Sequence, residues 1–337
     1  MAEAARPVQE RAGIGPGGLP HEALQPAEPL VLRGLVRQWP AVGAGAASPA
    51  SAMAYLRQFC TDATVNAVRV PARHQGRVFY NEDLTGFNFE SSRVRLDTVL
   101  AELEALLPAD EPDTVYVGST TVDTCLPGFR GENDLSLGAL DPLVSVWLGN
   151  RSRVAAHFDL PDNLACCIAG RRRFVLFPPE QIVNLYPGPI DFTPAGQIIS
   201  MVDLHAPDPQ RFPRFEQAQS SALVAELEPG DAIVIPSLWW HHVEALEPFN
   251  VLVNYWWRRS PAWMDAPANV LDYALFTLRD LPRAQREAWR AIFNYYIFDF
   301  EAASAAHLPE DRRGVLAPMD EVTARRLRAQ LLTRLNR

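Results

Sequence analysis

The sequence predicts a mainly β protein with flanking helices, in which the strands form a jelly-roll sandwich or barrel. Between residues 113 and 258, short apolar or alternating runs are separated by Gly, Pro, Asn and Asp, which is the pattern of many short strands. Before and after this stretch, apolar residues recur at helical spacing instead. The β core therefore lies in the middle of the chain, with helices on both sides of it.

Four segments follow from this change of pattern. From the N-terminus they are a flexible lead-in (1–28), an N-terminal α/β elaboration (29–112), the β core (113–258) and a C-terminal helical region (259–337). The lead-in is polar and rich in Pro and Gly, and helical spacing in the elaboration covers about 50–60 and 96–107. The runs that predict core strands are Val115–Gly118, Val144–Leu148, Leu164–Ala169, Phe174–Phe177, Ala232–Ile235 and Asn250–Trp257.

The composition excludes several classes of function. The formal net charge is −9, which argues against nucleic acid as the main partner, since proteins that bind a phosphate backbone usually present a basic surface. All 31 basic residues are arginine, so any task that relatives assign to lysine falls to arginine. The four cysteines lack CxxC spacing, and neither a secretory signal nor a bilayer-length apolar run is present. We expect a soluble, cytoplasmic protein with reduced thiols and no membrane partner.

Two segments carry candidate metal ligands. His157 and Asp159 stand two residues apart on a predicted strand, so both side chains project from one face. Far along the chain, a tight turn and an apolar strand lead to Pro236, a Trp pair and then His241 and His242. Two histidines and one carboxylate that leave three positions open are typical of non-haem Fe(II) oxygenases. The alternative is that the paired histidines are ordinary core or surface residues.

Several motifs in a fixed order resemble the cupin-like branch of the jumonji C oxygenases. The pattern is most similar to the asparaginyl hydroxylase that inhibits hypoxia-inducible factor, strongly over 113–258 and more loosely elsewhere. The motifs are His157-Phe-Asp159, Asn163, Gly170-Arg-Arg-Arg-Phe-Val-Leu-Phe-Pro-Pro179, Leu185-Tyr-Pro187, Arg211-Phe-Pro-Arg-Phe215, Pro229-Gly-Asp231, Ile235-Pro236, Trp239-Trp-His-His-Val243 and Val253-Asn-Tyr-Trp256. The resemblance implies a double-stranded β-helix, the cupin fold.

The resemblance also implies a cofactor and its ligands. His157, Asp159 and His241 would bind one Fe(II) ion and form the catalytic centre, with 2-oxoglutarate as the co-substrate. The first residue after the Trp pair is the ligand in this family, so His242 would face the other way, as alternation along a strand requires.

The remaining site residues follow from the same likeness, with two departures from it. Arg172 would pair with the distal carboxylate of 2-oxoglutarate, where the family usually has lysine. Asn163 and Asn254 match polar positions beside the metal and the co-substrate, and Tyr116 could add a hydroxyl contact. The second departure is Val154, which replaces a co-substrate-contacting threonine.

The function implied by the resemblance is oxidation of a C–H bond to a hydroxyl group. The substrate would be a protein side chain, a small molecule or a tRNA nucleoside, of which the acidic charge makes the last the weakest option. Two alternatives remain. One is a non-catalytic cupin with a vestigial metal site, which the departures at Arg172 and Val154 favour; the other is a metal-dependent cupin enzyme that does not use 2-oxoglutarate. The C-terminal helices carry aromatic residues and predict a homodimer, with packing onto the barrel as the alternative.

Overall fold

A computed structural model describes residues 5–15 and 19–336. The chain divides into two compact units, one that ends at Arg259 and one that begins at Ser260. The first unit contains all the strands of the described residues, and the second contains only helices and turns.

The described residues form fifteen strands. In chain order they are β1 (Arg6–Pro7), β2 (Gln9–Ala12), β3 (Leu30–Arg33), β4 (Thr64–Val70), β5 (Arg77–Val78), β6 (Glu90–Arg95), β7 (Thr114–Thr121), β8 (Leu143–Gly149), β9 (Ser152–His157), β10 (Asp162–Ala169), β11 (Arg172–Phe177), β12 (Leu223–Leu227), β13 (Ala232–Ile235), β14 (Trp240–Ala245) and β15 (Asn250–Trp257). All six strands predicted in the core are present, which confirms the mainly β fold.

Helices of the same residues precede, interrupt and follow these strands. They are α1 (Pro40–Ala47), α2 (Pro49–Arg57), α3 (Leu96–Leu106), α4 (Val122–Cys125), α5 (Phe215–Ser220), α6 (Pro267–Thr277), α7 (Arg283–Phe293) and α8 (Glu321–Leu335). A π-helical turn, Asn294–Phe298, continues α7. Short 3₁₀ turns lie at His21–Leu24, Ala72–His74, Phe129–Gly131, Gly138–Leu140, Pro179–Asn184, Ala302–Ala305, Glu310–Arg312 and Gly314–Leu316.

The strands form two sheets that face each other. The small sheet has the order β1-β12-β11-β14-β9-β5, and the large sheet has the order β2-β3-β13-β10-β15-β8-β7-β4-β6. The central pairings β11–β14, β14–β9, β10–β13 and β10–β15 are all antiparallel. Side chains from the two inner faces, such as Phe174, Leu176 and Ile233, meet in one buried cluster. The barrel core therefore lies between the sheets.

Helices cover the outer face of the large sheet. Every residue of β10 is buried, because one face meets the small sheet and the other meets α1. The helix approaches so closely that a Cβ on Gly45 would collide with the carbonyl oxygen of Ile168. A glycine at this position allows α1 to lie directly on the strand.

The predicted flexible lead-in is wrong for residues 6–12. These residues form β1 and β2, which pair in parallel with β12 of the small sheet and β3 of the large sheet. Between them, Val8 is 3% exposed and packs with Val31 and Phe174 in the barrel core. The first four residues and residues 16–18 of the same segment lie outside the described residues. A single apolar residue inside a polar run is a weak sequence signal for a strand. In the structure, the buried side chain of Val8 lies between β1, which pairs with the small sheet, and β2, which pairs with the large sheet.

The C-terminal unit contains α6, α7 and α8, within the region 259–337 that the sequence predicts to be helical. Several of its large apolar side chains are exposed, including Phe276 at 82% and Phe298 at 73%. Within residues 5–15 and 19–336, no helix has both the length and the apolar character needed to cross a bilayer.

We predict that Val8→Asp lowers the free energy of unfolding by roughly 2–4 kcal/mol, because it places an unpaired charge in the barrel core. Gln9→Asp, on the exposed neighbour, should change it by less than about 0.5 kcal/mol. Urea unfolding followed by far-UV circular dichroism measures both values. Equal midpoints for the Val8 variant and the wild type would show that the N-terminal strands add no stability.

Candidate metal centre

The antiparallel pairing of β9 with β14 brings two histidines together. His157 ends β9 and lies opposite His241, the second residue of β14. Their ring centroids are 4.3 Å apart. Asp159 follows two residues after His157, and its Oδ2 lies 3.6 Å from Nε2 of His241. One ligand atom from each of the three residues lies within 4.8 Å of the other two, close enough for one ion.

Backbone carbonyls orient both imidazole rings. Nδ1 of His157 lies 2.8 Å from the carbonyl oxygen of Ala155, and Nδ1 of His241 lies 2.9 Å from that of Trp239. A carbonyl oxygen only accepts, so each Nδ1 carries the proton. The lone pair of each ring is therefore on Nε2, as in most metal-binding histidines.

The charge state of the cluster suits a divalent cation. Burial, followed by the neighbouring His241, lowers the pKa of His157 to about 4, so its ring is neutral at pH 7. Burial acts to raise the pKa of Asp159, but the attraction of His241 and His157 outweighs it and holds the pKa below its usual value. Two imidazoles and one carboxylate are the donor set of non-haem Fe(II) sites. The residues present therefore fit the predicted metal.

A β-bulge in β9 places Val154 in the same cavity as the three candidate ligands. Val243 of β14 pairs with Val154, and His241 pairs with His157, so β9 has one more residue than β14 between these pairs. Simple alternation would place Val154 and His157 on opposite faces. The extra residue instead lets both line the cavity. From the sequence, only family likeness indicates that position 154 lies beside the co-substrate, because the periodicity of apolar residues does not reveal a bulge.

Arg172 is a buried cation that has no anionic partner among the described residues. It begins β11, four residues before Leu176, which pairs with His241, so its Cα lies about 13 Å along the sheet from the metal ligand. Its side chain is 2% exposed, and its Nε has no hydrogen-bond partner. Burial lowers its pKa, opposed only by Cys167 and Tyr116. Burial raises the pKa of both of these groups, so neither is an anion at pH 7.

One cavity contains every site residue that the sequence predicts. Its lining includes Tyr116, Trp147, Val154, His157, Asp159, Asn163, Arg172, His241, Asn254 and Trp256. The space inside is narrow, about 40 Å³.

A hydrogen-bonded chain crosses the wall of this cavity. Nδ2 of Asn254 donates to Oδ1 of Asn163 at 3.3 Å, and Nε1 of Trp147 donates to Oδ1 of Asn254 at 2.8 Å. Sequence analysis did not single out Trp147, whose inward direction depends on the pairing of β8 with β15. Trp240, by contrast, packs outside the barrel against Phe158 and does not line the cavity.

Comparison with known protein families agrees with this architecture. The model of a family described as a cupin-like domain matches residues 17–262. The chain belongs to the cupin-like domain family.

Curated relatives include proteins of the jumonji C type. The chain is 38% identical over 106 residues to the "tRNA wybutosine-synthesizing protein 5" of Danio rerio, and 34% identical over 118 residues to the "Lysine-specific demethylase JMJ31" of Arabidopsis thaliana. It is 31% identical over 157 residues to the "Jumonji C domain-containing protein 5" of Drosophila melanogaster. These segments cover 32%, 35% and 46% of this chain, and 29%, 21% and 35% of the relatives. The chain thus matches about a third or less of each relative's length.

Proposed function

We propose that this cupin-like protein is an Fe(II)- and 2-oxoglutarate-dependent oxygenase that hydroxylates a protein side chain or a small molecule. The observation that carries the proposal is a single cavity with a two-histidine, one-carboxylate cluster at one end and an unpaired buried arginine further inside. The cluster suits a redox-active cation, and the arginine suits a carboxylate.

His157, Asp159 and His241 would hold the iron through Nε2, a carboxylate oxygen and Nε2. Bound Fe(II) and 2-oxoglutarate would supply the oxidation, in which O2 converts a substrate C–H to C–OH while 2-oxoglutarate becomes succinate and CO2. The protein contributes the position of the ligands, which the two carbonyl contacts to Nδ1 fix before any metal arrives.

Arg172 is the residue that would hold the far carboxylate of 2-oxoglutarate. A buried guanidinium without a counter-ion is costly, and a carboxylate that accepts two hydrogen bonds from it would remove that cost. The narrow cavity joins Arg172 to the metal ligands, so one slender diacid could reach both. Val154 gives an apolar wall where a hydroxyl contact would add on the order of 1 kcal/mol, so the affinity would rest mainly on Arg172 and the metal.

Apolar walls would keep water away from the reacting atoms. Trp147, Trp256 and Phe174 line the same cavity as the ligands. Exclusion of water strengthens the ion pair at Arg172 and limits side reactions at the metal.

We expect succinate to form when the purified protein is incubated with Fe(II), ascorbate, 2-oxoglutarate and a library of peptides and metabolites. Arg172→Gln should raise the KM for 2-oxoglutarate roughly 10- to 100-fold, because it removes a charge-assisted hydrogen-bonded pair. Arg171→Gln is the matched control, since that neighbouring arginine is half-exposed and paired with Glu247. Arg172→Lys should retain most of the affinity.

Two outcomes would contradict the proposal. The same KM for Arg172→Gln and the wild type would exclude Arg172 as the anchor of the co-substrate. Succinate release unchanged by His157→Ala would exclude the metal centre. Metal binding without any succinate would instead indicate a 2-oxoglutarate-independent cupin enzyme or a binding protein.

We also propose that the C-terminal unit forms a homodimer. Its exposed apolar side chains, such as Phe276 and Phe298, would be covered by a second copy. Four free cysteines support the proposed cytoplasmic location, since reducing compartments keep thiols unpaired. The net charge of −9 supports a substrate other than nucleic acid.

Light scattering at micromolar concentration should give twice the monomer mass for the wild type and the monomer mass for Phe276→Glu/Phe298→Glu. Leu143→Glu changes an exposed apolar residue of the barrel and should leave the dimer intact. A wild-type monomer, or a double variant that stays dimeric, would show that these side chains do not join two copies.

A further inference from the structure

The strand that presents His241 to the cavity presents His242 on its opposite face. Glu244 follows two residues later, so it projects from the same outer face as His242. Nε2 of His242 lies 3.1 Å from Oε1 of Glu244. Both residues are buried, at 4% and 5% exposed, outside the barrel core. His242 and Glu244 are therefore two residues apart on the outer face of β14, the same spacing as that of His157 and Asp159.

A histidine from a distant segment completes a second cluster. Nε2 of His205 lies 2.9 Å from the same Oε1 of Glu244 that His242 contacts. The backbone of His205 donates to Oδ1 of Asp203 at 3.0 Å, which fixes the turn that presents the ring. One donor atom from each of His205, His242 and Glu244 lies within 4.8 Å of the other two. The geometry is therefore as compact as that of the inner cluster.

The cluster has more donor capacity than its internal hydrogen bonds use. Both imidazoles converge on one carboxylate oxygen, and the buried Nδ1 of His242 has no hydrogen-bond partner among the described residues. Burial acts to raise the pKa of Glu244, but the two histidines lower it to about 2, so the group is a carboxylate.

Two arginines near this cluster, Arg153 and Arg173, each have a closer partner outside it. Nη1 of Arg173 lies 3.9 Å from Oε2 of Glu244, the oxygen that faces away from the histidines. The closer partner of Arg173 is Glu226, at 2.6 Å. The oxygen that both histidines contact, Oε1 of Glu244, is therefore not the one that faces Arg173.

Solvent reaches the cluster from one side. The side chain of His205 is 45% exposed. It lines a surface cavity of about 440 Å³ together with Glu244, Arg173 and Gln219. A bound ion could thus enter and keep a water molecule as a further ligand.

We propose that His205, His242 and Glu244 form a second divalent-metal site, separate from the inner cluster and suited to Zn²⁺. Two imidazole nitrogens and one carboxylate oxygen, with a fourth position open to water, are a donor set that zinc commonly occupies. Three protein ligands and one water molecule complete the tetrahedral arrangement in which proteins usually hold zinc. The proposal is independent of the oxygenase activity proposed for the inner site.

An ion bound by His205 and by the two β14 residues would link the segment around His205 to the barrel. A few residues earlier, Ser200 donates its backbone N–H to the carbonyl oxygen of Ala156 at 2.7 Å, and Ile199 pairs with His157. The outer metal would therefore stabilise the segment that lies beside the end of β9.

Zinc binding to tag-free, chelator-stripped protein tests the proposal in the His157→Ala background, where the inner site is disabled. Competition with a chromophoric zinc chelator should show one bound equivalent in this variant. Adding His205→Ala should remove that equivalent or weaken its Kd by at least about 100-fold. His307→Ala, at an exposed histidine outside both clusters, should leave it unchanged.

A rescue variant separates loss of a ligand from loss of structure. His205→Cys in the same background should restore the bound equivalent, because thiolate is also a zinc ligand. Zinc should raise the Tm of the His157→Ala protein but not that of His157→Ala/His205→Ala. Absence of bound zinc in His157→Ala, or equal zinc binding with and without His205, would overturn the proposal.

Discussion

The pairing of β9 with β14 is the constraint on which both clusters depend. His157 stands opposite His241 in this register, and the side-chain period of a strand is two residues. A slip of one residue would turn His241 away from the cavity and bring His242 into it. The register is held by the apolar inner faces of the strands, which must meet the large sheet to leave water. Hydrophobic packing thus fixes the position of polar ligands that contribute little to packing themselves.

The same alternation gives one strand two chemically different faces. On the inner face, His241 lies beside Asp159, in a narrow cavity that Arg172 also lines. The outer face joins His242 to Glu244 and to His205 from a distant segment, beside a cavity open to solvent. Burial of the inner cluster suits chemistry that must exclude water, whereas exposure of the outer cluster suits an ion that keeps a water ligand.

Much of the fold and of the inner site could be predicted from the sequence. Short apolar runs mark the core strands because those strands are buried on both faces. The His157–Asp159 spacing marks the cluster, although β9 ends at His157 and Asp159 lies just beyond the strand. The selection of His241 over His242 came from family likeness. The bulge beside Val154 could not be predicted, since it depends on the relative register of two strands that lie far apart in the chain.

Other features could not be predicted because no local sequence pattern marks them. The strands at residues 6–12 lie in a polar segment whose only deeply buried side chain is Val8, so composition indicated a lead-in. The direction of Trp147 depends on the pairing of β8, and the approach of His205 to Glu244 joins residues 39 positions apart. Contacts of this kind are set by tertiary packing, which periodicity does not record.

The central claim is that metal ligands and Arg172 form one site for a slender diacid. Calorimetric titration of 2-oxoglutarate into Mn²⁺-loaded and chelator-stripped wild-type protein tests it most directly. Clear binding to the loaded protein, lost when the metal is removed, is the expected result. Equal binding with and without the ion, or no binding to the loaded protein, would contradict the account.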